Sequence, residues 1–123
     1  MRGELRFIYV AGCYSASNII DVFRNIRRGL TVTFSLLKAG YIPFVPWFDW
    51  LWLFIDEDEA MEVQDFQRYS IEWMRKCDAV YVHEYQLKPW NTSKGTVGEV
   101  ELARKLTMPV YLCRKKMDAE RGW

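Results

Sequence analysis

A run of small residues ends in a single carboxylate: Trp90-Asn91-Thr92-Ser93-Lys94-Gly95-Thr96-Val97-Gly98-Glu99. It follows the short apolar stretch Cys77-Asp78-Ala79-Val80-Tyr81-Val82, which reads as a strand. A small-residue loop that opens a helix gathers backbone N–H groups and the positive end of the helix dipole. Such a place suits an anion or a sugar hydroxyl. A carboxylate held beside it can attack a carbon from which a base is leaving. The same residues have a structural use. Thr96-Val97-Gly98-Glu99 fits a capping box, and the local pattern on its own favours the cap.

Other candidates divide between chemistry and packing. Tyr9 is a core aromatic or a site residue. Asp78 opens a buried strand and is expected to bond the backbone of a neighbouring loop rather than a ligand. His83 is the chain's one histidine and reads as a satisfied side chain at a strand end; no Ser/His/Asp or Cys/His set can be built around it. The acidic run 56–59 lacks calcium-loop spacing and reads as a helix start. Trp47, Phe48, Trp50 and Trp52 could stack on a base, but a subunit contact is the favoured reading. The three cysteines, Cys13, Cys77 and Cys113, form neither a CxxC pair nor a zinc pattern. Cys77 and Cys113 read as buried thiols. No metal site is expected.

The elements that must position these residues alternate strand and helix. Leu5 to Val10 is a strand ending in the turn Ala11-Gly12, and Ser15 and Ser17 are the N-cap candidates for the helix that follows. Ile19, Val22, Phe23, Ile26, Leu30, Phe34 and Leu37 keep helical spacing as far as Ala39, and Gly40 stops the helix. Tyr41 to Val45 is a second strand, which Pro43 assigns to an edge. Met61 to Lys76 is a helix, Asp78 to His83 a strand, Thr96 to Leu106 a helix and Met108 to Cys113 a last strand. Apolar strands separated by helices indicate a parallel sheet covered on both faces. The expected fold class is α/β: a three-layer, flavodoxin-like or Rossmann-like domain of four to five strands in the order 2-1-3-4. Ligands bind such sheets at the strand carboxyl ends where the order reverses. That crevice lies between the first and third strands, bordered by Tyr9, Gly12 and Cys13 on one side and by the 84–99 loop on the other.

Composition bounds the rest. The 123 residues are expected to form one domain, 1–123, with a basic tail from about 114 (Arg114, Lys115, Lys116, Arg121). With 17 Lys and Arg against 16 Asp and Glu, no nucleic-acid polymer is expected as a partner. The apolar run Trp47 to Ile55 is far short of the ~20 residues that span a bilayer, so no membrane is expected either. Reduced cysteines and the lack of a signal peptide point to the cytoplasm.

Phe7-Ile8-Tyr9-Val10-Ala11-Gly12 and Ser93-Lys94-Gly95-Thr96-Val97-Gly98-Glu99, followed by Ala103, resemble the opening turn and signature helix of the nucleoside 2-deoxyribosyltransferase superfamily. Gly40-Tyr41-Ile42-Pro43, Cys77-Asp78-Ala79 and Trp90 are similar to its small bacterial and phage members of unassigned activity. The resemblance runs over about residues 6 to 113. It implies Glu99 as nucleophile at the anomeric carbon and Tyr9 beneath the sugar, orienting Glu99. It implies Ser93 and the Gly95 backbone at the sugar or its 5'-phosphate, and Gly12 allowing close approach of the ligand. Trp47 and Asp49 fall after the second strand, where these proteins place a base-contacting loop. One departure stands out: the family's general-acid aspartate, eight residues before the strand aspartate, corresponds here to Ser70. A serine hydroxyl is a poor proton donor near neutrality, so Asp49 or Asp65 substitutes, or the base leaves without that help.

Two functions follow. One is an enzyme that cleaves or transfers at the N-glycosidic bond of a nucleoside or nucleoside 5'-monophosphate, with no cofactor or metal. The other is a non-catalytic nucleotide-binding or interaction module on the same fold, for which Ser70 is what a degenerate site would show. The resemblance also implies a homodimer or larger homo-oligomer.

Overall fold

The computed structural model describes residues 4–12, 17–46, 52, 55, 61–83 and 94–123. Within them the elements run β1 (Phe7–Ala11), α1 (Ile19–Lys38), β2 (Ile42–Phe44), α2 (Val63–Lys76), β3 (Ala79–Val82), α3 (Lys94–Lys105), β4 (Val110–Tyr111) and α4 (Arg114–Glu120). The four strands form one parallel sheet in the order β2-β1-β3-β4, as the alternation predicts.

Side-chain alternation along the strands builds a core on each face. Ile8, Val10, Ala79, Tyr81 and Tyr111 pack with Leu36 of α1 and Met117 of α4. Tyr9, Ala11, Val80 and Val82 pack with Met74 of α2 and with Val100 and Ala103 of α3. The result is a three-layer α/β fold with helices on both faces.

Asp78 fixes how β1 meets β3. Its Oδ2 accepts from the backbone N–H groups of both Arg6 and Phe7, each at 2.9 Å. Its own N–H donates to the Phe7 carbonyl at 2.7 Å. The expected structural role is the one observed: a short carboxylate ties the entry of one central strand to the entry of the other.

Several expectations need correction. The residues from 114 do not form a solvated tail. Arg114–Glu120 is helical, Met117 is buried, and Trp123 packs edge-on to Tyr41 at 5.3 Å. The Trp123 Nε1–H donates to the Leu5 carbonyl at 3.1 Å, while the Leu5 N–H donates to the Arg121 carbonyl at 2.8 Å. Charge counting missed Met117 and Trp123, the two apolar residues that anchor this segment. The N-cap of α1 is Asn18, whose Oδ1 accepts from the Asp21 N–H at 2.9 Å, rather than Ser15 or Ser17. β4 is only two residues long because Met108 is spent closing α3. Its N–H donates back to the Ala103 carbonyl across Thr107, which sits at φ 57°. Cys113 is exposed and Cys77 half-buried, and both thiols are free. Burial, together with the Asp78 charge, pushes the Cys77 pKa up to about 12.

The helix expected from apolar spacing is α1, and only part of its apolar surface is buried. Its core face is Val22, Gly29 and Leu36. Of the stripe read from its spacing, Ile19, Phe23, Leu30, Phe34 and Leu37 are all exposed.

Tyr41 and Asp118 tie the start of β2 to α4. The Tyr41 hydroxyl donates to Asp118 Oδ1 at 2.6 Å, and Arg114 Nε donates to the same oxygen at 3.0 Å. Burial pushes the Tyr41 pKa up to about 12, with the Asp118 carboxylate adding to the shift. An unfolded tyrosine ionises near pH 10, roughly its free value. The fold therefore loses stability as pH rises from the unfolded value toward the folded one. Urea denaturation should show falling stability across that alkaline window, and Tyr41→Phe should flatten the decline. An unchanged slope in Tyr41→Phe would remove Tyr41 as its source.

Candidate functional site

β1 and β3 are the adjacent strands from which the chain moves outward in opposite directions, β2 lying beyond one and β4 beyond the other. Their carboxyl ends, Ala11-Gly12 and Val82-His83, frame the crevice that such a reversal opens. α3 starts at this end of the sheet, since it returns antiparallel between the parallel strands β3 and β4. It packs against β1, β3 and β4.

Glu99 lies on the inward stripe of α3, on the side of the helix it shares with Thr96, Val100 and Ala103. Thr96, Val100 and Ala103 are fully buried. Glu99 is half-buried, and its Oε2 is shielded from solvent. Because α3 begins at Lys94, Thr96 is the third helical residue and not the N-cap. That position breaks the capping-box reading, whose first member must stand outside the helix. Gly95 falls in the first turn, where backbone N–H groups point out of the helix end.

Tyr9 is fully buried in the core that α2 and α3 cover, with its ring stacked on Phe44 at a centroid distance of 5.7 Å. It therefore lies on the same face of the sheet as the inward stripe of α3. Its ring packs as a core aromatic. Ser93, Trp47 and Asp49 lie outside the described residues.

Gly12 departs from its expected role. A Cβ built on Gly12 would fall 1.8 Å from Nε2 of His83 and 2.3 Å from its Cδ2. The close neighbour that demands glycine is the imidazole of this chain, in the place assigned to a ligand. His83 stands at the end of the third strand, as its reading as a strand-end side chain expects. His83 is buried, and burial alone lowers its pKa, so at neutral pH the ring is uncharged. His83 thus stands as a neutral imidazole at the carboxyl end of β3, and Glu99 lies on the inward stripe of α3.

The two residues considered for proton donation are engaged elsewhere. Ser70 is buried, and its hydroxyl donates to the Pro46 carbonyl at 3.3 Å, tying α2 to the end of β2. Asp65 forms the capping box of α2, with its Oδ2 accepting from the Glu62 N–H at 2.9 Å. Trp52, from the aromatic segment, stands edge-on to Tyr69 at 6.1 Å. Among the described residues no cluster of His, Cys, Asp or Glu could hold a metal ion, and no helix is long and apolar enough to cross a membrane.

An open groove of about 810 Å³ lies elsewhere, between α2 and the edge strand β2, with Ile42, Phe44, Tyr69 and Trp73 in its walls. It is apolar and lacks the glutamate and helix N-terminus of the crevice.

A parallel sheet covered by helices on both faces defines the class as Rossmann-like α/β. Within that class the chain belongs to a family described as a domain of unknown function (DUF7768), whose model matches residues 6–113. No curated protein matches the chain.

The packing of Gly12 on His83 has a measurable consequence. Gly12→Ala should destabilise the protein by about 1–3 kcal/mol, the usual cost of overpacking, and much less in a His83→Ala background. Equal losses in both backgrounds, read by chemical denaturation, would show that the imidazole is not what excludes a side chain at residue 12.

Proposed function

We propose that the chain binds a nucleoside or nucleoside 5'-monophosphate in the β1–β3 crevice and cleaves its N-glycosidic bond or transfers its sugar. The observation that carries this reading is Glu99, a half-buried carboxylate on the inward stripe of a helix that starts at the crevice. The family resemblance of the glycine-rich segment supports the same assignment.

In this reading a Glu99 oxygen attacks the anomeric carbon. A new C–O bond forms as the C–N bond breaks, and the bonding pair leaves with the base. Water or a second base then attacks the same carbon from the opposite face and releases Glu99. The departing base takes up one proton. Ser93 and the N–H groups of the first α3 turn, Gly95 among them, hold the sugar or its phosphate. Tyr9 supports Glu99 from the sheet, while Trp47 and Asp49 meet the base. No cofactor or metal takes part. The protein works in the cytoplasm as a homodimer or larger assembly; the free thiols of Cys77 and Cys113 are consistent with a reducing compartment.

One observation favours a second reading, a nucleotide-binding module without catalysis. Ser70 occupies the general-acid position and its hydroxyl is taken by Pro46, while Asp65 caps a helix. No described carboxyl group is left at that end of α2 to protonate a base.

The two readings separate in one assay. Incubation with a panel of nucleosides and 5'-monophosphates should release free base detectable by chromatography. Glu99→Ala should reduce the release by about a thousandfold or more, since a removed nucleophile forfeits several kcal/mol of barrier lowering. Intact nucleotides, together with thermal stabilisation by one of them, would replace the enzyme with the binding module.

A further inference from the structure

The exposed stripe of α1 has no use in the reading above. Ile19, Phe23, Leu30, Phe34 and Leu37 are between 47% and 63% exposed. At 100° per residue they fall within one narrow arc, beside the core face rather than opposite it, and they extend over about 27 Å of helix. The other flank of α1 faces α4, where Arg114 Nη1 donates to Ser35 Oγ at 3.1 Å. The stripe therefore looks away from α4, past the sheet edge formed by β2. Pro43 lies on that edge strand and lacks an N–H, so the edge is poorly suited to growing by another strand.

We infer that this stripe is the interface with a second copy of the chain, through α1 packed antiparallel on its two-fold mate. The arrangement of the apolar positions carries the inference. They pair about one point near residue 28: Ile19 with Leu37, Phe23 with Phe34, and the half-buried Ile26 with Leu30. Reversal of the helix lays the stripe on itself, and a two-fold contact requires such self-complementarity. Phe23 of one copy meets Phe34 of the other twice, and the helix dipoles run opposed. Burying these side chains on two copies removes on the order of 1,000 Å² from water, near the lower limit for a specific interface. Left in water, the stripe would be a large apolar patch for a monomer of this size.

Charge gives the contact a signature. Arg27 flanks the middle of the stripe, so two copies of it approach each other near the axis. Salt should leave association unchanged or strengthen it by screening that repulsion. An acidic partner or anionic lipid on the same stripe would be released by salt.

Sedimentation equilibrium on the full chain tests this. The expected mass is twice 14.7 kDa at micromolar concentration, in low salt and in high salt. The double variant Phe23→Glu/Phe34→Glu should run as a monomer with unchanged circular dichroism, because neither side chain belongs to the core. Trp73→Glu, in the α2 groove, should remain dimeric. A monomeric native protein overturns the inference, as does a dimer indifferent to the double variant. So does a monomer whose binding to phosphatidylserine vesicles is lost in that variant, which would assign the stripe to a lipid surface.

Discussion

The Asp78 carboxylate is the constraint on which the rest of the structure depends. It accepts two backbone N–H bonds from Arg6 and Phe7 at the point where β1 enters the sheet. Charge-assisted bonds of this kind contribute about 1.5–3 kcal/mol each. Their greater effect is on register. A one-residue slip of β1 along β3 would exchange its two faces, sending Ile8 and Val10 to the α2–α3 side and Tyr9 and Ala11 to the α1–α4 side. Two packed cores oppose that slip, and Asp78 sets the alignment from which they are built.

The same register determines what stands at the far end of the strands. Ala11 pairs with Val82, so Gly12 and His83 come next on neighbouring strands and their side-chain positions compete for one space. The glycine yields and the imidazole fills it. A clamp at the amino ends of two strands thereby sets the crevice at their carboxyl ends. α3 supplies the crevice with Glu99 because Thr96, Val100 and Ala103 seat the helix on the sheet. The groove beside β2 has none of these constraints; its walls are mostly apolar, with Asp65, Arg68, Glu72 and Lys76 also lining it.

Much of this was legible in the sequence, for identifiable reasons. Continuous apolar strands between helical spacings carried the parallel sheet and its order. Gly40 marked the end of α1 and has φ 98°, as a stop signal requires. Pro43 marked the edge strand. Illegible parts depended on tertiary neighbours. Periodicity located a helix at α1 but could not say which of two adjacent apolar faces the sheet would take. The face with residues seven apart, Val22, Gly29 and Leu36, is the buried one. The basic appearance of residues 114–121 concealed a helix held by Met117 and, beyond it, Trp123. For the candidate site, Glu99, Tyr9 and Gly12 were singled out from local motifs, but the packing of Gly12 on His83 was not visible there. Ser70 and Asp65 could not be assigned to Pro46 and to a helix cap before the fold was known.

The central claim is that the small ligand of this domain sits between the carboxyl ends of β1 and β3 and the start of α3. Titrating isotope-labelled full-length protein with a nucleoside 5'-monophosphate, while following backbone amide resonances by NMR, tests it most directly. The account predicts shifts concentrated at Tyr9 to Gly12, Val82, His83 and Thr96 to Glu99. Shifts confined to Phe44, Tyr69 and Trp73 along the α2 groove, or no saturable shifts with any such ligand, would contradict it.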